Sequence, residues 1–234
     1  MNRMNNSKKA IILLSGGLDS LVSLSCAIAE GIDVKLALTF DYGQKSFDGE
    51  FQASQRIAEF YGIKHKIIKL DWLKEITNTS LVSNKPIPQV SETDLSNENI
   101  TKQSMKNVWV PNRNGLFLNI AASYCDSLCY DYIILGANLE EAQTFSDNSL
   151  KFVESINKAL ETSTNYDIKL FVPLISLTKN QILKKGIELK APLEFVHSCY
   201  SSTEKHCGSC ESCNRLKRAL KETNNEELFK RIFR

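Results

Sequence analysis

Apolar runs rich in β-branched residues alternate along the chain with longer segments whose apolar positions recur at helical spacing. That alternation is the signature of βαβ units and a parallel sheet. It predicts strands at Ala10–Leu14, Val34–Asp41, Lys66–Leu70, Tyr132–Gly136 and Lys169–Val172. Helices are predicted at Asp19–Glu30, Asp48–Tyr61, Gly115–Leu128, Asn148–Leu160 and Thr178–Lys190. In Asp48–Tyr61, Phe51, Ile57, Ala58 and Tyr61 fall near one face while Glu50, Arg56 and Glu59 fall away from it. Gly31 and Gly62 stand where a left-handed residue stops a helix. The pattern implies a doubly wound, Rossmann-type α/β fold. It breaks over Thr77–Asn107, a stretch rich in Asn, Ser, Thr, Lys and Glu with Pro86 and Pro88 close together. This reads as a long loop, either a functional lid or partly disordered.

Length and charge narrow the class only a little. The 234 residues suffice for one main domain with a small appended module, read as an α/β domain over 1–195 and a knuckle with C-terminal helices over 196–234. The longest apolar runs are far shorter than the roughly 20 residues a membrane helix needs, and Met1–Lys9 leads into glycines without a secretory core, so a cytoplasmic protein is expected. A net charge of +2 is too mild to argue for a nucleic-acid footprint. Without an export signal, the seven cysteines read as thiols and metal ligands rather than a disulfide framework.

Chemistry concentrates first in Leu14-Ser15-Gly16-Gly17-Leu18-Asp19-Ser20, which leaves an apolar strand and opens a helix. Backbone N–H groups and the helix dipole converge there on an anion, and the paired glycines let the backbone approach a phosphate closely. Ser15 and Ser20 add hydroxyls. Asp19 suits either a helix N-cap or a magnesium ligand bridging to pyrophosphate. The Gly-Lys-Ser/Thr ending of a Walker A loop is missing.

The second concentration is Cys199, Cys207, Cys210 and Cys213, spaced C-x7-C-x2-C-x2-C. Thiolates at such intervals wrap one tetrahedral zinc ion, and a four-thiolate site with no open position is structural. His197 and His206 lie close enough to replace a thiolate. Behind the cluster, Asn214–Glu222 carries Arg215, Lys217, Arg218 and Lys221 and reads as a basic helix, either a solvated face or one that touches nucleic acid.

The hexad Ser15–Ser20 resembles the SGGxDS signature of the PP-loop ATP pyrophosphatases. In that class the adenine packs near the second strand, here ending Thr39-Phe40-Asp41-Tyr42-Gly43-Gln44, at the carboxyl end where open α/β sheets bind ligands. Phe40, Tyr42 and Gln44 are therefore nucleotide candidates, with core packing the alternative for the two rings. Trp109-Val110-Pro111-Asn112-Arg113-Asn114 and Val172-Pro173-Leu174-Ile175-Ser176-Leu177-Thr178-Lys179 resemble segments of the 7-cyano-7-deazaguanine synthase family, as does Ser198-Cys199-Tyr200 with the following cysteines. The likeness runs from about Ala10 to Leu220. In Arg113 a planar fork faces a phosphate or carboxylate better than a lysine would; a surface arginine is the alternative. Thr178 is read as a helix cap, and Lys179 either as a stabiliser of departing pyrophosphate or as a surface lysine.

The resemblance implies a ligase that uses ATP, Mg2+ and Zn2+ to turn a 7-deazapurine carboxylate and ammonia into a nitrile through adenylated intermediates, acting as a homodimer. The chain departs from the family pattern at Lys45-Ser46, where many relatives carry a basic residue and a histidine. It departs again at Glu140–Asn148, where only Phe145, Ser146 and Asp147 match a stretch that lines the deazapurine site. The alternatives are a ligase joining the acyl-adenylate to another amine, a protein or small molecule, and a PP-loop enzyme that modifies tRNA. A non-enzymatic zinc and nucleotide module is the third.

Overall fold

The computed structural model describes residues 7–201 and 205–233. Five parallel strands form one sheet: β1 (Lys9–Leu13), β2 (Asp33–Asp41), β3 (Lys64–Lys69), β4 (Tyr132–Ile134) and β5 (Lys169–Phe171), in the order β3-β2-β1-β4-β5. The chain winds outward from β1 through β2 to β3, then returns to the other side of β1 to add β4 and β5. β1 and β4 therefore flank the topological switch point, where such sheets open a crevice at their carboxyl ends.

Helices cover both faces. The side chains of Ala10 and Ile12 enter one buried cluster with α1 (Leu18–Ala29) and α8 (Lys179–Glu188). Ile11 and Leu13 enter the other with α5 (Arg113–Leu128) and α7 (Leu150–Ser163). Burial on both sides is why β1 reads as an unbroken apolar run rather than an alternating one. On the first face α2 (Phe47–Phe60) contributes Ile57 and Ala58, as the helical spacing predicts. Gly31 and Gly62 take φ of +77° and +65° just beyond α1 and α2. The same cluster contains Leu216, Ala219 and Leu220 of α9 (Glu211–Glu222) and Ile232 of α10 (Glu226–Phe233), so the C-terminal helices share the core of the sheet domain.

The remaining helices are short or unforeseen: α3 (Asp71–Ile76), α4 (Glu98–Val108) and α6 (Leu139–Ala142). The long loop expected over 77–107 is corrected by α4. Asn97 caps it, its side chain accepting from Asn99 N and Ile100 N. Its buried positions are Thr101, Ser104 and Val108, so hydroxyl residues occupy places where a sequence pattern looks for hydrocarbon. Among the described residues no helix is long and apolar enough to cross a membrane.

Candidate active site and metal centre

The glycine turn joins β1 to α1 at the switch point. Gly16 has φ +76°, and a Cβ there would stand 2.6 Å from Ala53 Cβ of α2, so only glycine lets the turn lie against that helix. Gly136, following β4, is constrained likewise: a Cβ would stand 2.8 Å from Ser20 N. Both glycines let backbone pack closely around the start of α1. A cleft of about 240 Å³ opens beside this turn, lined by Leu14, Ser15, Gly17, Leu18, Asp19 and Ser20, with Phe40, Tyr42, Arg113 and Lys179 among its other walls.

Asp19 does not cap α1. Gly17 holds the N-cap position without a side-chain bond, and Asp19 lies inside the first turn. Its Oδ2 accepts from Lys179 Nζ at 2.6 Å and from Asn138 Nδ2 at 3.2 Å. Its Oδ1 is buried without a hydrogen-bond partner among the described residues. Burial pushes the carboxyl up to about 6 against the pull of Lys179, and Glu141 and Glu140 add to the rise.

Lys179 is 7% exposed, which rules out the surface-lysine reading. It begins α8, where Thr178 caps the helix as expected and forms a capping box with Gln181. Besides Asp19, its Nζ reaches Glu141 Oε1 at 3.1 Å. Burial works against its charge, but the two carboxylates outweigh burial and hold the ammonium above its ordinary range. Glu141 is held below its ordinary range: burial opposes ionisation, and Lys179 overcomes it.

Arg113 is not a surface arginine either. It begins α5 after Asn112, which takes φ +48°, and its Nη1 donates to Tyr42 Oη at 3.0 Å. Burial raises the Tyr42 phenol, so Tyr42 stays a neutral acceptor and leaves most of the guanidinium N–H fork free for the cleft. Phe40 stacks on Phe117 at 3.9 Å and 4°. Phe40 thus lines the cleft while packing against a core neighbour.

Two nucleotide candidates stand outside the cleft lining. Gly16 faces α2, as its contact with Ala53 requires. Gln44 is 4% exposed and folds back on its own turn: Nε2 donates to Phe40 O at 2.8 Å and Glu50 Oε2 at 2.9 Å, and Oε1 accepts from Tyr42 N. Its amide is spent on shaping the end of β2.

Sequence reasoning missed Asn138 and Glu141. Asn138 caps α6, Oδ1 accepting from Glu141 N at 3.0 Å, while its Nδ2 serves Asp19. The available signal was Asn138 standing three residues before Glu141, a helix-start pattern.

Beside the cleft, the Sγ atoms of Cys199, Cys207, Cys210 and Cys213 all lie within 4.8 Å of one another, with Cys207 and Cys213 at 3.9 Å. Thiolates about 2.3 Å from a tetrahedral ion are roughly 3.8 Å apart, so the four thiols fit one metal ion. Neither histidine belongs to the set. His206 Nε2 accepts from Ser198 N at 3.0 Å, and His197 packs against Gly49 while its backbone N–H donates to Gly16 O at 2.9 Å.

The basic helix reading of α9 is corrected as well. Arg215 and Arg218 pair with Glu140 at 3.3 and 2.6 Å, and Arg215 with Glu211 at 2.8 Å. Lys217 donates to Gly208 O and Lys221 to Glu92. Each cation has a partner within the molecule; Arg215 is buried, whereas Lys221 stays on the exposed face.

Fold and site together define an open parallel α/β protein. Its glycine turn, buried carboxylate and buried lysine meet at the switch point, with a four-cysteine cluster that could hold a metal ion alongside. The chain belongs to the family described as queuosine biosynthesis protein QueC, whose model matches residues 9–224. It is 48% identical over 217 residues to the 7-cyano-7-deazaguanine synthase of Methanosarcina barkeri, covering 91% of this chain and 94% of that one. It is 50% identical over 213 residues to that of Carboxydothermus hydrogenoformans, covering 91% and 98%. Against that of Bdellovibrio bacteriovorus it is 44% identical over 230 residues, covering 97% and 100%. Among solved structures, NMN synthetase from Francisella tularensis is similar at a TM-score of 0.49 and 18% identity, covering 97% of this chain and 83% of that one.

Proposed function

We propose that the protein uses ATP to convert 7-carboxy-7-deazaguanine and ammonia into 7-cyano-7-deazaguanine. The carboxylate oxygen attacks the α-phosphorus of ATP, the bond to the β-phosphate breaks, and pyrophosphate leaves. Ammonia then adds to the acyl-adenylate and loses a proton as AMP departs, giving the amide. A second ATP activates the amide oxygen in the same way, and loss of AMP and two protons leaves the nitrile. The protein's part is positioning and electrostatics, with no covalent enzyme nucleophile required.

The observation that carries this reading is Asp19: a buried carboxylate at the switch point, fixed by Lys179, with one oxygen left unpartnered. Such an oxygen fits a divalent cation. Asp19, with Ser15 and Ser20, would hold Mg2+, which neutralises charge on pyrophosphate when bound. The N–H groups of the glycine turn receive phosphate oxygens, Arg113 faces an anionic group across the cleft, and Lys179 meets the departing pyrophosphate. The four cysteines would hold Zn2+ as a structural clamp on the wall formed by Ser198, Cys199 and Tyr200.

The test is mass spectrometry of products after incubating the protein with ATP, magnesium, ammonium and 7-carboxy-7-deazaguanine. Nitrile with pyrophosphate release is the expected result. Adenylate or amide alone would assign the chain to ligation with another amine, and no ATP-dependent change would overturn the substrate assignment.

A further inference from the structure

The segment where the chain departs from the family pattern carries a connection that the reaction scheme leaves unused. Glu140 lies in the first turn of α6, its side chain 16% exposed. Its Oε1 accepts from Lys179 N at 2.8 Å. Its Oε2 accepts from Arg218 Nη2 at 2.6 Å and from Arg215 Nη1 at 3.3 Å. Arg215 is itself 8% exposed and bound by Glu211, whose other oxygen accepts from Ser104 of α4. One carboxylate thus bridges α6, α8 and α9, and α9 is the helix that Cys210 caps.

Helix starts leave N–H groups without intrahelical partners. At α8 the Thr178 side chain serves Gln181 N, and Glu140 serves Lys179 N from a different element. An anion there is also favoured by the helix dipole. Glu140 does not line the cleft, whereas its neighbour Glu141 does.

We infer that Glu140 is a positioning residue: clamped by Arg215 and Arg218, it fixes the backbone from which Lys179 reaches Asp19. This rests on the proposed role of Lys179 at the pyrophosphate. The same side chain couples the thiol-bearing helix α9 to the start of α8, so the metal centre and the lysine move as one body.

The experiment uses the full, metal-loaded chain and compares wild type, Glu140→Ala, Glu140→Gln, Lys179→Ala and the Glu140→Ala/Lys179→Ala pair. With the carboxylate substrate, Glu140→Ala is expected to lower kcat for ATP–pyrophosphate exchange by about 10- to 100-fold, the cost of a misplaced group. KM for ATP should stay within about threefold, because a transition-state contact is lost rather than uniform binding. Glu140→Gln keeps an acceptor for Lys179 N–H and should recover most of the rate. In the Lys179→Ala background the Glu140 change should cost nothing further; multiplied losses would overturn the inference and leave a general structural role. If Glu140→Ala fails to fold, Glu140→Asp, which keeps the charge but is too short to reach Lys179 N–H, enters the same cycle in its place. Amide hydrogen exchange of residues 179–181 needs no substrate, so it separates this inference from the proposed reaction. Glu140→Ala should speed that exchange about 10-fold, with zinc content unchanged, and an unaltered rate would overturn the inference even if the reaction stands.

Discussion

Lys179 Nζ lies 2.6 Å from Asp19 Oδ2 although 160 residues separate them. The winding of the sheet explains the meeting. Asp19 follows β1 and Lys179 follows β5, and the carboxyl ends of parallel strands deliver their successors to one edge. Asn138, following β4, completes the group. Asp19→Asn keeps the shape and removes the charge while Lys179 retains Glu141. ATP-dependent pyrophosphate release should fall by at least about 100-fold, the scale of losing one preorganised electrostatic contact. The stability loss should stay near 1.5–3 kcal/mol, the worth of a hydrogen bond to a charged group. Circular dichroism melts and a pyrophosphate assay check both, and retained turnover would remove Asp19 from the site.

Acidity should switch the site off. In the free protein Asp19 takes up its proton near pH 6, because burial raises its carboxyl from 3.8. A protonated carboxyl is a poor ligand for a divalent cation. Activity therefore rises as pH climbs through about 6 and is lost as pH falls through it, while Lys179 stays charged throughout. With the magnesium–ATP complex as the varied substrate and free magnesium kept low, kcat/KM should show this acid limb, since that ratio reports the free enzyme. A profile flat from pH 5 to 8 would contradict the assignment.

Strands were legible in the sequence where burial is two-sided, as at Ile11 and Ile12, because hydrocarbon on both faces leaves an unmistakable run. Helix α4 was not. Its inward positions Thr101 and Ser104 are polar, and Ser104 donates to Glu211, 107 residues away. The cysteine cluster was legible because its ligands are local. The Glu140 and Glu141 pair was not, since their partners Lys179, Arg215 and Arg218 come from elements that only the fold brings close. Charges on a short segment read as surface until their counter-ions are seen. For the same reason Arg215, on a helix that reads as solvated, is buried. Gln44 illustrates the converse: a polar residue at a strand end suggests a ligand contact, yet its amide closes its own turn.

The metal centre should hold the C-terminal segment to the domain. Cys210 is 1% exposed and its Sγ accepts from Cys213 N at 3.5 Å, so serine there keeps a cap for α9 but loses a thiolate. Cys210→Ser should lose zinc, read as metal per chain by atomic emission. Losing the structural ion should lower Tm by at least about 10 °C, since each kcal/mol lost lowers Tm by roughly 2–4 °C in a chain of this size. Unchanged zinc content would refute the four-cysteine assignment.

The segment before α4 is moored to α9 by Asn214, which makes its mobility adjustable. Asn214 is 8% exposed, and its Nδ2 donates to Val90 O at 2.6 Å and to Ser209 O at 3.2 Å. Gln89 bridges to Cys210 alongside. Asn214→Ala leaves the carbonyl of buried Val90 without this donor, a cost of about 1–3 kcal/mol. A further tie is the ion pair of Lys221 with Glu92, whose lysine side chain is 57% exposed, and exposed pairs contribute little. Opening should thus be local. The amides of Ile87 and of residues 89–93 should exchange about 10-fold faster or more, since 1.4 kcal/mol is a factor of ten, while β1 and α1 keep their protection. Acceleration everywhere would instead show that Asn214 supports the whole domain, and no acceleration would show that Val90 is held by its apolar neighbours alone.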